Sequence, residues 1–82
     1  MSDILVIEDE LVLARSIVAF LERRGFAARF AVDAAAARTQ FERQRPRLVI
    51  LDYRLGRDDG MELLVWIRET QPEVEVVMMT AH

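Results

Sequence analysis

Three carboxylates and a hydroxyl stand where short apolar runs end in this 82-residue chain. Ile4-Leu5-Val6-Ile7 runs into Glu8-Asp9, Leu48-Val49-Ile50-Leu51 into Asp52, and Val77-Met78-Met79 into Thr80-Ala81. Carboxylates held at short range repel one another and raise each other's pKa. A hard divalent cation removes that cost, and magnesium takes one or two carboxylates, with waters and phosphate oxygens completing its shell. Such a site can hold a phosphoryl group through the metal and the Thr80 hydroxyl, while one carboxylate attacks phosphorus and forms an acyl phosphate. Asp52, alone after four apolar residues and facing a polar loop, is the candidate nucleophile. Acids at strand ends also cap helices, and Glu8-Asp9 suit the positive end of the helix that follows. Their recurrence at the ends of several strands is what favours chemistry over capping.

The elements that must position these groups alternate along the chain. Ile4–Ile7 is short, continuous and β-branched, as in a strand buried on both faces. Leu11 to Arg24 lacks proline and glycine and ends in Arg23-Arg24-Gly25, a helix stop. Its Leu13, Ile17, Phe20, Leu21 and Arg24 recur at spacings of three and four, which predicts one apolar face. Phe26 to Val32 reads as a weaker strand. Asp33 is the expected N-cap of a helix from Ala34 to Gln44, with Ala34, Ala37 and Phe41 on one face and Pro46 beyond its end. Leu48–Leu51 is a third strand, Asp52 to Gly60 a polar loop, Met61 to Thr70 a third helix and Val74 to Met79 a fourth strand. Gly56 and Gly60 read as loop residues using positive φ. The order βαβαβαβ implies parallel pairing in an open α/β sheet with helices on both faces. The functional crevice of such a sheet lies beyond the carboxyl ends of its strands, where the acids stand.

Composition bounds the rest. The length suits one small domain. Apolar residues at 52% and charged residues at 30% describe a folded chain and exclude intrinsic disorder. No cysteine means no disulfide, thiolate zinc site or thiol nucleophile. Fourteen acids against 11 bases, net −3, argue against a nucleic-acid-binding module, and every base is arginine. The arginines read as solvated surface, Trp66 as a packing residue, Met78 and Met79 as core strand, and His82 as a loop residue without a chemical role. No stretch has the length of a spanning helix or the pattern of a signal peptide, so the expected location is cytoplasmic with no membrane contact.

Ile4-Leu5-Val6-Ile7-Glu8-Asp9-Glu10, Leu51-Asp52-Tyr53-Arg54-Leu55 with Asp59-Gly60, and Val77-Met78-Met79-Thr80-Ala81 together resemble a response-regulator receiver domain. Gly56 stands where that family's pattern has proline. Met78-Met79-Thr80-Ala81-His82 is similar to receivers of the nitrogen-regulation class of transcription activators. The resemblance implies a flavodoxin-like doubly wound sheet. It implies that Asp52 accepts a phosphoryl group from a sensor histidine kinase with Mg2+ bound directly by Asp9, by Asp52 and the backbone carbonyl of Arg54, and by Glu8 mainly through a water. Thr80 would then be the switch hydroxyl, aided by the N–H of Ala81. Such a module is a phosphoacceptor and not an enzyme.

Residues 1–82 cover roughly the first two-thirds of a receiver, so the fifth strand, with its lysine, and the last two helices are expected to be absent. Phosphorylation and output should then be impaired, since arginine does not replace lysine as a compact charge. Strand order 2-1-3-4-5 would leave the fourth strand as an open apolar edge, predicting a homo-oligomer or swapped dimer. The runner-up is a fragment of a haloacid-dehalogenase-type phosphohydrolase, a family that wants a second aspartate where Arg54 stands. A dimerising fragment without chemistry is the third reading.

Overall fold

The computed structural model describes residues 3–79. Strand β1 (Ile4–Ile7) is buried at all four positions, as its unbroken apolar run requires. Helix α1 (Leu11–Arg23) ends through Arg24 and Gly25, the latter at φ +92°. Then come β2 (Ala28–Ala31) and α2 (Ala34–Gln44). The Asp33 carboxylate caps α2 by accepting from Ala36 N–H at 2.7 Å, and Arg45 closes it in the left-handed region ahead of Pro46. Strand β3 (Leu48–Asp52), a short hairpin of β4 (Arg54–Leu55) and β5 (Asp58–Asp59), helix α3 (Gly60–Thr70) and β6 (Glu75–Met79) follow.

The four long strands are all parallel, in the order β2-β1-β3-β6. With β6 as the fourth sheet strand, this is the flavodoxin-like order expected, seen through its first four members. Side chains alternate across the sheet. Leu5, Ile7, Val49 and Leu51 pack with Ala37 and Phe41 of α2 and Leu63 and Ile67 of α3. On the other face Ile4, Val6 and Ala28 meet Ile17, Val18 and Leu21 of α1. Trp66 packs edge-on against Phe41, with ring centroids 5.6 Å apart, as its packing role predicts.

Four details differ from the sequence-based expectation. The segment after Asp52 is not all loop: Arg54 pairs with Asp59 and Leu55 with Asp58 in an antiparallel hairpin. Leu55 is sunk in the core and Gly56 turns the chain at φ +59°, a positive φ that glycine adopts at no steric cost. Proline could not take that φ. Gly60 has no positive φ: it opens α3, and what it supplies is close approach. Phe20 lies outside the apolar face of α1, half exposed, with the Arg24 guanidinium 4.7 Å above its ring. The arginines are not all solvated, since Arg38 is half-buried over the Trp66 ring; Arg68, though exposed, donates to the Val74 carbonyl at 3.1 Å.

The two edges of the sheet are unlike. On β2, the Gln40 amide reaches the outward Phe30 carbonyl at 3.5 Å, and Gln44 in turn donates to Gln40. On β6, Val77 is half exposed and Glu75 is exposed, and no described strand pairs with the outer side.

Candidate functional site

The parallel register aligns Ile7 of β1 with Leu51 of β3, so the next residues, Glu8 and Asp52, lie side by side at the carboxyl edge. Glu8 continues the ladder for one bond, its N–H donating to the Ala31 carbonyl at 3.0 Å. Among the described residues it and Asp52 are the two buried polar ones, 2% and 4% exposed, whereas Asp9 is open to solvent. One carboxylate oxygen from each of Glu8, Asp9 and Asp52 lies within 4.8 Å of the others. Convergence at this rim, the central expectation from the sequence, is therefore observed.

Backbone amides orient two of the three. Glu10 N–H donates to Glu8 Oε2 at 3.0 Å, and Arg54 N–H donates to Asp52 Oδ1 at 3.0 Å. Glu8 Oε1 is buried with no hydrogen-bond partner among the described residues. Burial pushes the Glu8 carboxyl up to about 7, against the pull of the Glu10 N–H and with help from Asp52 and Asp9 alongside. A buried oxygen without a partner, in a cluster whose own acids keep one member protonated near neutrality, is what a hard cation would relieve. The donor set, all oxygen, fits magnesium or calcium and excludes softer ions on preference.

The cavity above the acids holds about 260 Å³ and is lined by Glu8, Asp9, Glu10, Leu13, Asp52, Arg54 and Gly56. Gly56 closes it on one side, where a Cβ would sit 3.4 Å from Asp9 Oδ2. The predicted contributors Glu8, Asp9, Asp52 and Arg54 are thus brought together, while Thr80 and Ala81 lie outside the described residues. Sequence reasoning missed the amides of Glu10 and Arg54 as donors to the acids, because backbone groups carry no residue-type signal. It also missed Asp58, whose carboxylate reaches the α2 N-terminus. A larger cleft of about 520 Å³, lined by residues including Glu22, Arg29, Gln40 and Arg43, shares no residue with the acid cluster.

A sequence model of the response regulator receiver domain matches residues 4–82. The chain belongs to the receiver family. It is 42% identical over 82 residues to the nitrogen assimilation regulatory protein NtrX of Azorhizobium caulinodans, across 98% of this chain and 18% of that protein. It is 39% identical over 79 residues to the alginate biosynthesis transcriptional regulatory protein AlgB of Pseudomonas putida, across 96% of this chain and 18% of that protein. The chain thus spans less than a fifth of the length of these relatives. Among solved structures, a Burkholderia pseudomallei response regulator with a phosphorylated aspartic acid, calcium ion and citrate superposes with a TM-score of 0.93 at 29% identity, covering 100% of this chain and 48% of that one. The receiver domain of NtrX from Brucella abortus superposes at 0.87 with 40% identity, covering 93% and 65%. The receiver membership disfavours the phosphohydrolase reading. So does Arg54, which brings no second carboxylate but an amide bonded to Asp52.

The raised Glu8 pKa has a measurable consequence. Unfolded, Glu8 loses its proton near its ordinary value of 4.5, and folded it holds the proton to about 7. The folded state therefore binds more protons between these values, and stability falls as pH rises through that window. The contribution is fully present below 4.5, is lost by about 7, and amounts to a few kcal/mol at most. Urea midpoints in a metal-free buffer at pH 5 and pH 7.5 should show this fall, and Glu8→Gln should flatten it. A midpoint that rises over the same interval would contradict the assignment.

Proposed function

We propose that residues 1–82, as part of a receiver domain, accept a phosphoryl group on Asp52 from a phosphohistidine of a sensor histidine kinase, with Mg2+ bound. The observation that carries the reading is the meeting of Glu8, Asp9 and Asp52 within 4.8 Å at the carboxyl edge of the sheet. Asp9, Glu8, Asp52 and the Arg54 backbone carbonyl would hold the cation, which when bound neutralises charge on the carboxylates and the phosphoryl oxygens. The Arg54 N–H occupies Asp52 Oδ1 and leaves Oδ2 as the attacking atom. As the new O–P bond forms, the P–N bond to the donor imidazole breaks, and the imidazole nitrogen keeps the electron pair and takes a proton. Thr80 and Ala81 are proposed as the switch hydroxyl and a backbone donor to the phosphoryl group. The module is a stoichiometric phosphoacceptor in the cytoplasm, not a turnover enzyme, and it makes no nucleic-acid or membrane contact of its own. Among the described residues no helix is long and apolar enough to cross a membrane. In a polypeptide limited to residues 1–82, transfer is slow or lost for want of a lysine, and output is impaired.

Adding Mg2+ should change the fluorescence of Trp66 saturably, with Asp9→Ala and Asp52→Ala each weakening binding by about tenfold or more. An unchanged affinity in both variants would defeat the reading. The 82-residue polypeptide is also proposed to self-associate through β6. Light scattering at tens of micromolar should give a mass above the monomer, and a Val77→Lys variant should return it to one, because an edge charge opposes strand pairing. A wild-type monomer at that concentration would remove this part of the proposal.

A further inference from the structure

The hairpin that brings Arg54 and Gly56 to the acid cluster is short. Two paired residues on each side give little independent stability, so something else must hold it. Leu55, buried in the core, anchors one side. On the other side two neighbouring acids divide the work. Asp59 Oδ1 caps α3, accepting from Met61 N–H at 2.9 Å and Glu62 N–H at 3.4 Å. Asp58 turns the other way, and its Oδ2 accepts from Ala34 N–H at 2.8 Å, 24 residues back in the chain. Ala34 is the first residue of α2, and its N–H is one that the helix cannot satisfy itself. Asp33, the local cap, satisfies Ala36 instead. A carboxylate at that end also meets the positive pole of the helix.

We infer that Asp58 is a positioning residue for the acid cluster: its bond to α2 holds the hairpin where the Arg54 amide orients Asp52 and Gly56 covers Asp9. The connection is short. Asp58 pairs with Leu55, whose neighbour Arg54 donates to Asp52 Oδ1, and the turn at Gly56 lies against Asp9 Oδ2. Without the tie, the Arg54 amide and carbonyl are free to drift from Asp52 while the sheet, built on other contacts, persists. The inference rests on the function proposed above for its metal readout, but not for its structural one.

The test uses the 82-residue chain, labelled with 15N, as wild type and as Asp58→Ala, Asp58→Asn and Asp33→Ala. Without metal, Asp58→Ala should move the Arg54 amide resonance and speed its hydrogen exchange about fivefold, the scale of one lost hydrogen bond. Mg2+ affinity, read by Trp66 fluorescence, should weaken by a similar factor. Asp58→Asn, which keeps an acceptor oxygen for Ala34, should restore both. Asp33→Ala removes a cap from the same helix and should lower the melting temperature without moving Arg54 or the Mg2+ affinity. The inference is overturned if Asp58→Ala leaves the Arg54 amide unchanged, if Asp58→Asn fails to rescue, or if Asp33→Ala reproduces the effect. Failure of the wild type to bind Mg2+ would overturn the proposed function alone, and the metal-free Arg54 amide would still decide the role of Asp58.

Discussion

Asp52→Asn should abolish phosphoryl labelling by acetyl phosphate while leaving the chain folded. Asparagine keeps the volume of the side chain and an oxygen to accept the Arg54 N–H, so the hydrogen bond at 3.0 Å survives. What it lacks is a nucleophilic oxygen that can form an acyl phosphate. Removing the nucleophile of a covalent reaction leaves no alternative route at the site, and a fall of at least ~100-fold is expected. Asp9 and Glu8 are not expected to substitute, because in the proposed site both carboxylates would be engaged by the cation. Intact-protein mass spectrometry after incubation with acetyl phosphate and Mg2+ measures this, however slow the wild-type reaction is. Equal labelling of wild type and Asp52→Asn would assign the chemistry elsewhere.

Gly60→Ala should be the most destabilising single-methyl change near the site. Alanine normally improves a helix over glycine by about 1 kcal/mol. Here the added Cβ would lie 2.5 Å from the Tyr53 carbonyl oxygen, 2.9 Å from that of Asp52 and 3.0 Å from the Tyr53 carbonyl carbon. All three are backbone atoms at the end of β3, which cannot swing aside as a side chain can. The amino end of α3 must retreat, carrying Leu63 and Ile67 from their places in the core. A net loss of about 2–4 kcal/mol is expected, in the range of overpacking a filled interior. Urea unfolding measures it. Gly25→Ala is the comparison: at φ +92° with nothing within 4 Å, it bears only backbone strain and should cost less. A Gly60→Ala chain as stable as wild type would mean that α3 shifts freely.

Most of the architecture was legible because its signals are local. The Ile4–Ile7 and Leu48–Leu51 runs are apolar at every position, the Arg23-Arg24-Gly25 stop and the Asp33 cap stand in the expected places, and the acids come directly after those runs. Register then did the remaining work, since parallel strands that end level bring Glu8 and Asp52 together without further instruction. The hairpin was not legible, because two residues are too few for alternation to appear and its turn depends on a backbone angle at Gly56. Gly60 was misread for a related reason. Its constraint comes from carbonyls of residues 52 and 53, a contact that exists only once the chain has folded back. The tie from Asp58 to Ala34 joins residues far apart in sequence and has no periodic trace.

The unlike edges of the sheet decide what kind of assembly a second copy can build. Gln40 engages one outward carbonyl of β2, that of Phe30, at 3.5 Å, while no described strand pairs with the outer side of β6. For the self-association proposed above, β6 against β6 about a two-fold axis would use the outer edge of each copy and close at two chains, whereas head-to-tail pairing would propagate.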